Sequence, residues 1–478
     1  MMMHRRLGGM VGVVVGAVVG LTGTGVLAAT VPAELCGPPA TDENSYQTFT
    51  LENGLRVVLR PFAQTEMVGT LVLYDIGDAH DPEGKSGLAR LMTRLYVTSP
   101  AGERPSRTVA DLMQIYVQPM SFNAQAGEDY TISATMAPAD RLERELAEAA
   151  DRMALLAPTQ ADIDRERPEL VRAVRSMHTE LPPQATFVRT REMLHPSPPG
   201  ASIGGVASDV LSITEADVRE HLRFYKPQNA TLVLSGAFDP AAARPMIERL
   251  FGAVPAGEPA PTPRASQRPQ LGGLAEITVQ TDQPQWRGRS LISIGFVPPA
   301  PGSEHYAAFQ VLIGYLYQLI NTNTMRAAEG SDILQSQILY RTVEDPAIVQ
   351  IAGSVTEGAE PLRALADLRD LIDRSIAALD DGQEVDLTLA RMTFASFGLF
   401  RVEDAELWDK VHTVAVGMGR LLQMGVDPPR LIAAIEGVTK DDLMECARAV
   451  FDDANSAAVF TRIEVLAPPE GIAAPPEG

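Results

Sequence analysis

Cysteine is almost missing from this chain: Cys36 and Cys446 are the only two in 478 residues. Two cysteines cannot build a cysteine-based metal site. A disulfide between them is open to an exported chain. Cys446, however, falls in a helical pattern at a position suited to a small buried side chain, which reads as a buried free thiol. Basic residues are also few, 40 against 61 acidic, for a formal net charge of −21. No basic stretch offsets that charge, which excludes a nucleic-acid partner. It keeps the chain soluble and favours cationic partners or peptides. The seven histidines include no H-x-x-x-H pair, so a helix carrying two histidine ligands one turn apart cannot be written.

Long apolar runs are confined to the N-terminus. Arg5 and Arg6 precede an apolar, Gly/Val-rich stretch over residues 10–21, and Val26, Leu27, Ala28 and Ala29 provide a small-residue exit. This is the pattern of a signal peptide over 1–29. An uncleaved anchor is the alternative, because residues 10–29 carry no charge and could just span a bilayer. Either reading puts the folded part outside the cytoplasm, in the periplasm or cell envelope.

The remainder is ordinary globular sequence, 45% hydrophobic and 21% charged, long enough for two or three domains. After a linker at 30–45, residues 47–51 alternate at period two. Asn53 and Gly54 mark a turn, and residues 55–59 return as a hairpin. Strands are expected at 67–74, 129–134 and 230–235, and helices at 108–117, near 142–153, at 162–177, 210–224 and 240–251. Pro168 must kink the 162–177 helix or delay its start. Residues 255–273 concentrate Pro, Gly, Ala and Ser as an interdomain linker. Strands then recur at 276–279, 291–296, 347–355 and 456–460. The later helices are expected at 305–319, 360–379, 386–397, 404–424 and 428–436.

An internal repeat shows near the end of each half. Thr214 with Asp217, and Thr439 with Asp442, both make a capping-box-like helix start, and each helix leads through an Asn (Asn229, Asn455) into a strand. The fold class is therefore α+β, with two tandem homologous domains at 46–254 and 274–465. Each is a mainly antiparallel sheet packed with helices. The tail at 466–478 is rich in Pro, Glu and Gly and reads as disordered.

One helix organises the first domain. Leu88, Leu91, Met92, Leu95 and Tyr96 recur at helical spacing on one face, while Arg90, Thr93 and Arg94 share the opposite one. Ser86 is its expected N-cap.

Here the chain resembles the pitrilysin/insulinase family of zinc metallopeptidases. Leu51, Glu52, Asn53, Gly54, Leu55, Arg56 and Val57 resemble its opening hairpin. Ile76, Gly77 and Asp78, with residues 82–89, resemble the approach to its metal helix. Phe122, Asn123 and Ala124, then Asp129, Tyr130 and Thr131, resemble its next strand region, and residues 211–236 resemble a later helix–strand passage. The resemblance covers roughly residues 46–465 and implies two domains facing each other like a clam around a central cleft. In the family, an H-x-x-E-H helix supplies two zinc ligands and a general base, and a later helix supplies a third ligand.

Those positions here are Arg90, Thr93, Arg94 and Ala173. Arginine has no lone pair to give a metal and threonine is no base near neutral pH. The family's zinc would be expected from the resemblance, but with these ligand and base positions replaced the expectation is no zinc, no other cofactor and no catalytic residue. Glu166 matches a supporting acid of the family and is a candidate ion-pair partner for Arg90 or Arg94. His178 and Glu180 are too close to form a metal pair, and His80 reads as a solvated loop residue. Of the family's substrate-binding Arg–Tyr pair, Arg326 is kept, the tyrosine position is Ile333, and Tyr340 lies further on.

The reading is an exported, inactive peptidase homologue that pairs with a zinc-bearing relative, or with itself, to form a peptide-processing chamber. Peptides would add as a strand near residues 122–126. The alternatives are a structural or peptide-binding envelope protein with no peptidase partner, and an active zinc peptidase with a misaligned site.

Overall fold

The turn at Asn53 and Gly54 sets the first sheet. Gly54 adopts φ 88°, a left-handed conformation that suits glycine. The Asn53 side-chain amide donates to the Phe251 and Val254 carbonyls at 2.8 and 2.9 Å, tying the turn to the end of a helix two hundred residues on. The resulting hairpin joins β1 (Gln47–Thr50) to β2 (Arg56–Pro61), with Thr50 opposite Arg56. The computed structural model describes residues 46–62, 65–115, 122–325, 331–340, 347–380 and 408–466.

Four more strands complete that sheet: β3 (Met67–Tyr74), β4 (Phe122–Ala126), β5 (Thr131–Pro138) and β6 (Ala230–Gly236), in the order β1-β2-β6-β3-β5-β4. The helices of this half are α1 (Leu88–Thr98), α2 (Val109–Ile115), α3 (Leu142–Leu155), α4 (Gln160–Arg175), α5 (Pro182–Leu194), α6 (Ala207–Ser212), α7 (Glu215–His221) and α8 (Pro240–Phe251). On one sheet face Val57, Val72 and Tyr74 pack with Leu88, Leu91 and Leu95 of α1 and with Leu146, Ile247 and Phe251. Each such burial stabilises by about 1.5–3 kcal/mol, which outweighs the few tenths at stake in helix propensity.

The second half repeats the plan. Its strands are β7 (Leu274–Thr281), β8 (Arg289–Phe296), β9 (Ile333–Tyr340), β10 (Val349–Thr356) and β11 (Ser456–Val465), ordered β7-β11-β8-β10-β9. Without β1, the first sheet reads β2-β6-β3-β5-β4, which is the same order. In each sheet one pair is parallel, β2 with β6 and β7 with β11, and the others are antiparallel. The helices are α9 (Tyr306–Met325), α10 (Pro361–Asp380), α11 (Trp408–Gln423), α12 (Pro428–Glu436) and α13 (Lys440–Val450).

Two helices cross between the halves. α11 lies on β3, β6 and β5 of the first sheet, and α5 lies on β11, β8 and β7 of the second. Glycine makes both approaches possible. A Cβ on Gly419 would sit 3.2 Å from Val233, and one on Gly295 would sit 2.6 Å from Thr190. The Pro-rich stretch between the sheets is an extended strap pinned along its length. Gln228 donates to Ala256 at 3.0 Å, Arg264 to Ala79 at 2.9 Å, Gln270 to Met193 at 2.7 Å and Ala458 to Gly273 at 2.9 Å, all between backbone groups.

Several local expectations change. α4 starts at Gln160, capped by Thr159 with Asp162, so Pro168 inside it does not delay its start. The expected helix over 210–224 is two, α6 and α7, because Thr214 caps a new start. The strand expected from 129 begins at Thr131, since Asp129 serves as a side-chain acceptor for α11. β9 and α5 carry too little periodicity to be legible. The helix expected over 386–397 lies outside the described residues, as does Cys36. Cys446 is buried and free, with its thiol pushed up to about 12 by burial.

Candidate functional site

α1 begins unconventionally. Its N-cap is Gly87 at φ 105°, not Ser86, and the cap position supplies no side chain. Asp81, from the preceding loop, takes that role. Its carboxylate accepts from the amides of Gly87, Leu88 and Ala89 at 2.7, 3.0 and 2.8 Å, satisfying groups a helix start leaves open. Burial and the Asp78 charge push the Asp81 carboxyl up, against the pull of the three amides. Ser86 instead ties the neighbouring loop: its hydroxyl accepts from the Ser202 amide at 3.4 Å and its carbonyl from Val206 at 3.2 Å.

The polar face of α1 is occupied by its own ion pairs. Arg90 Nε and Nη2 both reach Asp78 Oδ2 at 2.9 Å. Burial works against the Arg90 charge, but Asp78, with Tyr130 and Asp81 adding to it, raises its pKa on balance. Arg94 Nε donates to Glu166 Oε2 at 3.1 Å, and Arg165 Nε donates to the other oxygen of Glu166 at 3.1 Å. Of the two arginines, then, Arg94 meets Glu166 and Arg90 does not. Thr93, between them, is buried and donates its hydroxyl to the Arg90 carbonyl at 2.8 Å. Ala173, two turns beyond Glu166 on α4, is half-buried and offers no donor atom.

A loop closes over this face. His178 bonds the Ile203 carbonyl at 2.9 Å, and Gly204 comes close enough that a Cβ there would lie 3.7 Å from Arg90 Nε and 3.0 Å from Met177. A Cβ on Gly205 would lie 2.8 Å from Gly87 Cα, so this close approach requires glycine. His80 is buried, not solvated. Its Nδ1 accepts from the Gly77 amide at 3.1 Å, and burial lowers its pKa.

The remaining candidates lie apart. Arg326 falls outside the described residues. Ile333 is buried at the start of β9. Tyr340 packs edge-on against Phe309 with ring centroids 5.1 Å apart, and its hydroxyl accepts from Gln310 at 2.9 Å. It is part of the second half's packing.

The family's zinc does not fit the α1–α4 site. The two ligand positions hold cations already paired with carboxylates, and a metal ion would meet their positive charge. Among the described residues no group of three or more His, Cys, Asp or Glu is placed to hold a metal ion, and no helix is long and apolar enough to cross a membrane.

What the sequence did not reveal here is that Asp78 pairs with Arg90 and that Asp81 caps α1. Two carboxylates flanking His80 just before a helix were the available signal.

Residues 212–345 match the family model described as the peptidase M16 inactive domain. The fold is that of the M16, pitrilysin-like peptidases. A protease from Helicobacter pylori superposes with a TM-score of 0.73 at 17% identity, covering 87% of this chain and 99% of that one. The peptidase M16 inactive domain from Pseudomonas fluorescens gives 0.68 at 13%, covering 89% and 99%. The periplasmic protease PqqL from Escherichia coli gives 0.66 at 15%, covering 89% of this chain and 48% of that one. At these identities the M16 likeness is one of fold. No curated protein matches the chain in sequence.

Proposed function

We propose that this chain is an exported, non-catalytic M16-type protein that pairs with a zinc-bearing relative and closes one wall of a peptide-processing chamber. One observation carries the reading. The helix face that would hold a metal is filled by Arg90 and Arg94, each already joined to a carboxylate, Asp78 and Glu166. The scaffold around a peptidase centre is kept while its electrophile and base are replaced. Such a chain can still shape a cleft and hold peptide. Among the described residues β4 is an edge strand of the first sheet, pairing with β5, and α1 packs beside it. A peptide would add there by main-chain hydrogen bonds. That PqqL is a periplasmic protease supports the export reading.

The test has two parts. Elemental analysis of purified chain should find zinc well below stoichiometric, with no chelator-sensitive peptide cleavage; stoichiometric zinc with such cleavage overturns the proposal. Affinity capture of the full chain at native levels should recover a homologue bearing an intact H-x-x-E-H helix. Recovery of the chain alone would remove the partner and leave a peptide-binding or structural protein.

A further inference from the structure

With arginine at both ligand positions, α1 carries more hydrogen-bond donors than its neighbours can use. Arg94 donates to Glu166 through Nε alone. Its Nη1 and Nη2 groups make no hydrogen bond among the described residues and are not sealed from water. Arg90 commits Nε and Nη2 to one oxygen of Asp78, and its Nη1 is open in the same way. Arg165 commits Nε to Glu166 and Nη1 to Asp162, at 3.1 and 2.9 Å, which leaves its Nη2. All three arginine side chains are partly exposed.

The carboxylates around them are in the opposite state. Glu166 is buried, and each of its oxygens already holds a guanidinium. Asp162 is buried, with one oxygen bonded by Ser106 and Arg165 and the other by Thr159. Asp78 gives Oδ2 to Arg90, and its Oδ1 is sealed from water. Three cations and three carboxylates balance in formal charge. What these six groups leave open to a ligand is nonetheless N–H donors, so the ligand must be an acceptor.

We propose that the open Nη edge of Arg94, with Arg90 one turn away on the same face, binds a carboxylate, brought by a peptide as its free C-terminus or as an Asp or Glu side chain. Two Nη groups of one guanidinium point the same way and match the two oxygens of a carboxylate, in charge-assisted bonds about twice as strong as neutral ones. Cβ atoms four residues apart on a helix are about 6 Å apart, which puts the Arg90 charge beside the same anion. The net charge of −21 repels anions from afar, but salt screens exposed charges beyond about 8–10 Å, so the short bonds decide. α1 packs against β4 as well as α4, so a strand added beyond β4 lies near this helix. That the carboxylate arrives on a peptide rests on the function proposed above; the anion site does not.

The experiment uses the full chain. Sodium acetate, compared with sodium chloride at equal ionic strength, should raise its Tm by about 2 °C, and Arg94→Lys should abolish the difference. Calorimetric titration then compares N-acetylated hexapeptides of Ser and Ala as the free acid, the amide, the amide with a central Glu and the amide with a central Lys. The free acid or the Glu peptide should bind about tenfold tighter than the plain amide, and the one that does identifies the source of the carboxylate. Arg94→Lys should remove that advantage and leave binding of the plain amide unchanged. A lysine can still pair with Glu166 but lacks the planar fork, so unfolding cannot produce this pattern. Equal binding of acid and amide peptides, with no acetate effect, overturns this inference and leaves the peptide reading intact. An acetate effect without binding of any peptide removes the peptide and leaves the anion site.

Discussion

Glu166 is nearly sealed from water and holds two guanidiniums, Arg94 on one oxygen and Arg165 on the other. Removing Arg94 therefore leaves the carboxylate paired with Arg165, while removing the carboxylate strands Arg94, since Arg165 alone keeps a second partner in Asp162 at 2.9 Å. Arg94→Leu should cost about 1 kcal/mol and Glu166→Leu about 3 kcal/mol, since breaking a buried pair leaves uncompensated charge; urea unfolding of the two variants tests the order. Asp81→Ala should cost about 2 kcal/mol, the upper range for a lost helix cap, with exchange protection falling first at the start of α1. Two histidines set an acid limit. Burial, reinforced by the Arg191 charge, lowers His195 to about 4, and burial with His80 nearby lowers His221 to about 3. Both are neutral in the folded chain, whereas the unfolded chain binds their protons below about pH 6.5. Their contribution is intact above that value and is lost as the pH falls towards 4 and 3, by up to about 1.4 kcal/mol per pH unit per site. Unfolding free energies at pH 7.5 and 5 should show the loss, and His221→Phe should reduce the slope.

α11 shows how an element is addressed to a distant surface. Its Arg420 is fully buried, grips both oxygens of Asp129 at 2.9 and 3.0 Å and lies 3.9 Å over the Tyr130 ring. Its Gln423 donates to Asp75 at 2.7 Å, and Asp75 is held by Arg56 at 2.6 Å. Arg420→Ala should cost about 3 kcal/mol. Arg420→Met combined with Asp129→Leu should recover most of it, because an apolar pair of similar size is often as stable as a buried ion pair. A double-mutant cycle measures the coupling, and strict additivity would count against the clamp. α5 is attached differently, through Thr186 to Thr461 at 2.7 Å and Thr190 to Ser293. Gly295→Val should lift it at a cost of about 1–3 kcal/mol, seen as faster exchange along residues 182–194.

The exchange of α5 and α11 makes the two sheets one folding unit. Residues 46–254 alone would uncover Leu71, Leu73 and Val233 and deprive α5 of the sheet it covers. That fragment should bind ANS and melt without a cooperative transition, whereas the full chain melts cooperatively. A sharp, ANS-silent melt of the fragment would show that the halves are independent.

Much of this was legible because it is local. The stripe at Leu88, Leu91 and Leu95, the Asn53–Gly54 turn, and the Thr214 and Thr439 caps depend on spacings of a few residues, and they fixed α1, the first hairpin and the repeat. The same sequence made Arg90, Thr93, Arg94 and Ala173 a poor zinc-binding set, since a guanidinium has no lone pair to give and alanine no donor atom. Tertiary structure alone decided the partners of those side chains. Asp78 took Arg90, Glu166 took Arg94, and Asp81 rather than Ser86 capped the helix, because a carboxylate seeks whichever donors the packed loop brings within 3 Å. It also decided that α5 and α11 cross over, each covering the other half's sheet. Those outcomes turn on which surfaces meet, and no periodicity within one segment encodes the surface it will cover.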